Sequence, residues 1–225
     1  PIQTHISETL DEQKMVWEKY HKTPWEHLIS VGLLNDTSLA VHCVHVSDKA
    51  ISAMKDIGLS VAYNPHSNMK LASGAAPIEK MLQAGINVSI GTDGPSSNND
   101  LDMWDEMRTG SFLQKLSSGD PTAMPAYQTL QMATVNGAKA LGFGDKTGQL
   151  KPGMAADLIL VDIEQPHYHP RNDMVAGLVY CGKAGDVDTV IVDGRIVVEG
   201  RKLLTMDLPA IYSDTEARMK RLAGK

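Results

Sequence analysis

Four short apolar runs, each followed by a helical stretch and each ending in polar residues, constrain this chain more than any other feature. They are Ile2 to Ser7, Leu39 to Val46, Leu59 to Tyr63 and Ile86 to Gly91. Runs of this kind read as strands, and the stretches between them carry helix punctuation. Thr9 can cap an amphipathic stretch that holds Met15 and Val16, and Thr23, Pro24 and Glu26 supply an N-cap, a first-turn proline and a capping-box acid for a helix that Gly32 closes. Ser47 opens a helix with Ala50, Ile51, Met54 and Ile57 on one side and Gly58 behind it. Pro77 opens another with Ile78, Met81 and Leu82, followed by Gly85. Alternating strand and helix predict an α/β fold with a parallel sheet. A complete (β/α)8 barrel takes about 250 residues, so four such units amount to half of one.

After Asp93 the rhythm changes. Leu101 to Leu116 and Pro125 to Leu141 read as two long helices joined at Gly119-Asp120-Pro121. From Gly148 the signal is β, with strands expected at Leu158 to Val161, Val187 to Val192 and Ile196 to Val198. Asp193-Gly194 between the last two is a strong hairpin turn. A loop around Gln165 to Arg171 separates two of these strands, and Leu208 to Leu222 reads as a final surface helix. The expected organisation is a partial barrel over 1–147, a portion of a β-sandwich over 148–206 and a C-terminal helix over 207–225.

Composition narrows the function classes. The 225 residues carry 21 Lys+Arg against 27 Asp+Glu, a net charge of -6, which argues against a nucleic-acid partner that needs a basic surface. Hydrophobic residues at 42% and charged residues at 21% suit a globular core, and the 12 methionines are expected to fill it. No apolar run reaches the roughly 18 to 20 residues of a membrane span, and no basic region leads an apolar stretch at the start. Cys43 and Cys181 lack metal-ligand spacing, so reduced thiols and a cytoplasmic setting are expected.

In a parallel α/β architecture, functional groups collect where strands end. His5 and Glu8 follow the first strand, His42 and His45 lie on the second, Asn64 and His66 follow the third, and Asp93 follows the fourth. Imidazoles and carboxylates suit a zinc ion that still holds a water. A lone histidine at a strand end is more often structural than a ligand; four consecutive strand ends with such groups favour a hydrolytic site. His21 and His27 read as solvated helix residues. Three positions from His42, His45 falls on the opposite strand face and reads as a helix-cap or packing residue.

The segments HISET (5–9), VHCVHVSD (41–48), NPHSNMKLASGAAP (64–77) and GTDGPSSNNDLDMWDEMR (91–108) closely resemble the amidohydrolase superfamily. The nearest branch is the 5-methylthioadenosine/S-adenosylhomocysteine deaminases, with triazine hydrolases and guanine deaminases as relatives. ATVNGAKALG (133–142) and GQLKPGMAADLILVD (148–162) are similar to that family's closing helix and its return to the β-sandwich. The resemblance implies the C-terminal half of a TIM-type metallo-hydrolase barrel with one zinc per complete site. His5 and Asp93 would be metal ligands at the fifth and eighth barrel strands, and Asp93 would also take a proton from the attacking water. Glu8 would lie against the substrate and carry a proton to its ring nitrogen. His42 would hydrogen-bond the attacking oxygen without binding metal. Asn64, Ser67 and Asn68 would brace the loop at the seventh strand, and Ser97, Asn98 and Asn99 the loop at the eighth. His66 departs from the small or acidic residue expected there, so it would tune substrate choice. The implied reaction is hydrolytic deamination of a small molecule, 5-methylthioadenosine or S-adenosylhomocysteine, with guanine or a triazine as the alternative.

The family's first barrel strand carries a His-x-His pair that no strand here supplies. The only such spacing, His167-Tyr168-His169, lies between Pro166 and Pro170 in a loop and is not expected to serve the catalytic metal. Together with a first residue that is Pro1, this leads to the expectation of the C-terminal part of a longer enzyme, inactive by itself. A reading of another class is a non-catalytic half-barrel that self-associates. In either case a homo-oligomer is expected, a twofold dimer that uses the strand near Ile2 to Ser7 or near Ile86 to Gly91, where Ile86, Val88 and Ile90 would lack cover.

Overall fold

A computed structural model describes residues 2–224. Strands β1 (Ile2–Ile6), β2 (Ser38–His42), β3 (Ser60–Tyr63) and β4 (Asn87–Ile90) form one parallel sheet in the order β1-β2-β3-β4. Helices α1 (Leu10–Tyr20) and α2 (Pro24–Ser30) connect the first pair, α3 (Asp48–Ile57) the second, and α4 (Pro65–Lys70) with α5 (Ile78–Gln83) the third. Beyond β4 come α6 (Pro95–Asn98), α7 (Met103–Ser118), α8 (Ala126–Met132) and α9 (Val135–Ala140). A second, antiparallel sheet is ordered β5 (Leu158–Val161), β6 (Val187–Val192), β7 (Arg195–Glu199) and β8 (Lys202–Leu203). Helix α10 (Met174–Cys181) interrupts it, and α11 (Leu208–Leu222) follows it. Lys225, the end of the expected tail, lies outside the described residues. Among the described residues no helix is long and apolar enough to cross a membrane.

Local chemistry accounts for most of these boundaries. Thr9 Oγ1 accepts from Glu12 N–H and Ser47 Oγ from Ala50 N–H, which satisfies amides that open each helix without a partner. Glu26 accepts from the Thr23 N–H and hydroxyl. Those bonds and Lys49 hold its carboxyl at about 2, well below the usual range. Asp193 and Gly194 both take positive φ (48° and 75°), as a two-residue hairpin requires.

Several expectations are corrected. The second strand stops at His42 instead of Val46, because His42 and Cys43 take left-handed φ of 69° and 50° that cannot continue a ladder. The stretch 125–141 is two helices, broken where Thr134 leaves helical geometry (φ −129°, ψ −94°). The third strand-end loop contains α4, opened by Pro65 at its first position. Helix α10, not foreseen, is capped by Asp173, which accepts from Val175 and Ala176 N–H, and it packs on α7 and α8.

The inner and outer faces of the parallel sheet also differ from expectation. Ile86, Val88 and Ile90 are not left uncovered: they are buried in the main core with Ile6, Val61, Tyr63, Ile51 and Met54, on the side of the helices. Strand alternation then turns Ser89 to the other face, with Gln3, Leu39, Val41 and Ala62, along a cavity of about 340 Å³ that Gly137 and Leu141 also line. Burying each of the large apolar side chains contributes about 1.5–3 kcal/mol, which fixes the register of β4. The edge of β4 is tied from within the chain: Asn136 Nδ2 donates to Val88 O (2.9 Å) and Asn87 Nδ2 to Asn136 O (3.1 Å). The edge at β1 is different, for its first residues are exposed.

Candidate metal centre

The carboxyl ends of β1, β2 and β4 bring His5, His42 and Asp93 together. One ligand atom from each lies within 4.8 Å of the others, and the rings of His5 and His42 stack with centroids 5.2 Å apart. Three of the four strand ends carry left-handed residues, namely Ser7 (φ 54°), His42 with Cys43, and Asp93 (φ 58°). Left-handed backbone costs roughly 1–2 kcal/mol per residue outside glycine, and strain of this kind is commonly retained where a site needs a side chain re-aimed. The turn at His42 is held by Cys43 N–H to Ile6 O (3.1 Å) and His45 N–H to Ser7 O (2.8 Å).

His42, Glu8 and Asp93 are each held by a hydrogen-bonding neighbour. His42 is buried (1% exposed), with Nδ1 2.8 Å from Asn68 Oδ1 and Nε2 3.7 Å from Glu8 Oε2. The amide oxygen facing Nδ1 favours the tautomer with its hydrogen there, which would leave Nε2 a lone pair toward the site. Glu8 Oε1 accepts from Ser73 Oγ (3.1 Å). Asp93 Oδ2 accepts from two hydroxyls, Ser67 and Ser97, each at 2.7 Å. Partial burial opposes ionisation of Asp93, yet those hydroxyls, the Gly94 N–H and the nearby His42 ring hold its carboxyl below the usual range. Asn64, with its amide nitrogen turned to the two carbonyls, bridges Tyr63 O and Gly91 O at the ends of β3 and β4. Ser67 and Asn68 therefore do more than brace a loop, since they hold Asp93 and His42 directly.

The donor set suits zinc. Tetrahedral zinc takes imidazole nitrogens and carboxylate oxygens at about 2.0–2.2 Å, which sets its donors about 3.3–3.6 Å from one another, so three donors within 4.8 Å of one another need only a small inward adjustment to share one ion. His42 thus stands among the possible donors, although the resemblance assigns metal only to His5 and Asp93. His167 and His169 are not part of this cluster: His167 Nε2 is bound to Asp186 Oδ2 (2.8 Å) beside β6, and His169 lies near Glu164 on the surface.

The model of the amidohydrolase family matches residues 1–197. The chain belongs to this family. It is 47% identical, over 100% of its length, to 52% of the 5-methylthioadenosine/S-adenosylhomocysteine deaminase of Desulforamulus reducens. Among solved structures, an adenosine deaminase from Xanthomonas campestris with bound zinc superposes with a TM-score of 0.98 at 36% identity, covering 100% of this chain and 51% of that one. Atrazine chlorohydrolase from Arthrobacter aurescens complexed with zinc gives 0.89 at 29% identity, covering 96% and 48%. The chain therefore spans about half the length of the curated relatives it matches.

This amidohydrolase chain also holds its site with residues that the sequence reading passed over. Glu12 accepts from the backbone N–H of Ser7 (2.8 Å) and of Glu8 (2.7 Å), fixing the turn that presents Glu8. The available signal was Glu12 three places after the N-cap Thr9, the capping-box position. Glu106 is wholly buried and binds His66. Both ring nitrogens of His66 are engaged by α7: its Nδ1 lies 3.1 Å from Glu106 and its Nε2 3.0 Å from Thr109 Oγ1. His45 meets its packing role, with Nε2 2.8 Å from Ser73 O. Asn98 donates to Thr92 O (2.7 Å), and Asn99 Oδ1 accepts from Lys70.

Proposed function

We propose that this chain carries one part of the active site of a zinc-dependent aminohydrolase that converts an adenine-type nucleoside thioether, 5-methylthioadenosine or S-adenosylhomocysteine, to its inosine analogue and ammonia. The observation that carries this reading is Glu8 beside the histidine and aspartate cluster, 3.7 Å from His42. A deaminase needs a carboxyl group there, because the ring nitrogen must gain a proton before water can add to the adjacent carbon. His5 and Asp93 would hold zinc. When bound, zinc lowers the pKa of a water from about 15.7 toward 7. Asp93, kept ionised by Ser67 and Ser97, accepts a proton; Glu8 delivers one to the ring; His42 Nε2 orients the attacking oxygen. Proton carriers so placed are typically worth 10²- to 10⁴-fold. Identity to deaminases along the whole chain supports the adenine-type substrate over guanine or a triazine.

The test is a hybrid in which this chain is joined to the part of the Desulforamulus reducens deaminase that it does not match. Zinc content and ammonia release are measured with methylthioadenosine, adenosylhomocysteine, guanine and atrazine. Turnover confined to guanine or atrazine, or equal turnover after zinc removal, would overturn the reading. The exposed edge of β1 supports a second property, self-association of the isolated chain as a twofold dimer. Sedimentation at several concentrations tests it, and a strictly monomeric folded species counts against it.

A further inference from the structure

Glu106 lies outside the cluster, yet it connects the two loops that complete it. It is 0% exposed, in a class of side chain that is almost never fully buried unless paired. Oε2 accepts from the backbone N–H of His66 (3.3 Å) and Oε1 lies 3.1 Å from His66 Nδ1. Oε1 also accepts from Asn98 Nδ2. His66 belongs to α4 and Asn98 to α6, whereas Glu106 is on α7. Ser67 directly follows His66, and Ser97 directly precedes Asn98. Each arm of this carboxylate is thus bonded one residue from a hydroxyl that donates to Asp93 Oδ2.

We propose that Glu106 is a positioning residue that ties the loop after β3 to the loop after β4, so that Ser67 and Ser97 meet on one oxygen of Asp93 and leave the other to the metal. The role in zinc binding rests on the reading of Asp93 as a ligand; the role in joining the loops does not. Burial pushes the Glu106 carboxyl up, against the hydrogen bonds from His66 and Asn98 that favour its charge. The pairing with both loops is what offsets that burial.

The experiment uses amide hydrogen exchange on the whole chain, with zinc affinity measured by chelator competition on the hybrid with the Desulforamulus reducens part. The reporters are Asn68 and Leu71 N–H in the first loop and Ser97 and Asn98 N–H in the second, each bonded within its own loop. Glu106→Gln is expected to speed exchange in both loops while Ile51 N–H of α3 is unchanged. His66→Ala should loosen the first loop alone, and Asn98→Ala the second alone. Zinc affinity should fall about 10- to 100-fold in Glu106→Gln, the usual range for a group that supports a ligand. Wild-type exchange in both loops of Glu106→Gln, or equal loosening everywhere, overturns the proposal. If Glu106→Gln does not fold, the two single-arm variants decide: unchanged loops in both overturn it. Should Asp93→Asn leave the zinc affinity of the hybrid unchanged, the ligand reading fails and the exchange pattern still decides the role of Glu106.

Discussion

Removing the Ser67 hydroxyl tests how the chain keeps Asp93 ready for its role. Ser67 is fully buried and donates to Asp93 Oδ2 at 2.7 Å. A hydrogen bond to a charged group contributes about 1.5–3 kcal/mol. Asp93 is only partly buried and keeps the Ser97 bond, so the lower half of that range is expected for Ser67→Ala in metal-free protein at neutral pH. For a domain of this size each kcal/mol corresponds to about 2–4 °C in Tm. The sign of the pH dependence follows from the lowered carboxyl of Asp93. Its stabilisation is complete above the ordinary value of 3.8 and is lost as pH falls through the lower folded value. Urea unfolding with chelator present, from about pH 7 down to pH 3, should therefore show a gap between wild type and variant that narrows in acid. A gap constant across that range would mean that the hydroxyl merely fills space, and the electrostatic argument would be refuted.

In the complete site, Glu8→Gln should lower turnover by about 10²- to 10⁴-fold with little change in Tm, and near-normal kcat in the purified variant would refute its role as proton carrier. Asp186→Ala removes the acceptor shared by His167, Tyr168 and the Lys183 N–H. A loss of about 1–3 kcal/mol is expected, chiefly from leaving the buried Tyr168 hydroxyl without its acceptor, measured by urea unfolding; no measurable loss would refute it. Burial pushes the Cys43 thiol up to about 12, so a thiol reagent on the native chain should label Cys181 and spare Cys43 until urea opens the fold. Equal labelling of both without denaturant would show that the core at β2 is open.

Much of the site was legible before any coordinates because its signals are local. Strand alternation, N-caps at Thr9 and Ser47, and polar residues where apolar runs stop all act within a few positions. They placed His5, Glu8, His42 and Asp93 at the mouth of a parallel sheet from sequence alone. The direction of each side chain across loops was decided by tertiary packing. His66 sits in the same motif as Ser67 and Asn68, yet it faces α7 because Glu106, 40 positions later, is buried there and must be paired.

The sequence by itself determined that four βα units exist, where their helices start, and which residues stand at their strand ends, since these follow from periodicity and capping. Only the tertiary structure decided which face of each strand is covered. Alternation divides Val88 from Ser89 but does not say which meets the helices; the core that buries Val88 and Ile90 also takes side chains from other units, such as Ile51, Met54 and Met132. Likewise the left-handed turn at His42 and Cys43 has no signature in two ordinary residue types. It exists because Ile6, Ser7 and Asn68, brought beside it by the sheet, supply the bonds that hold it there.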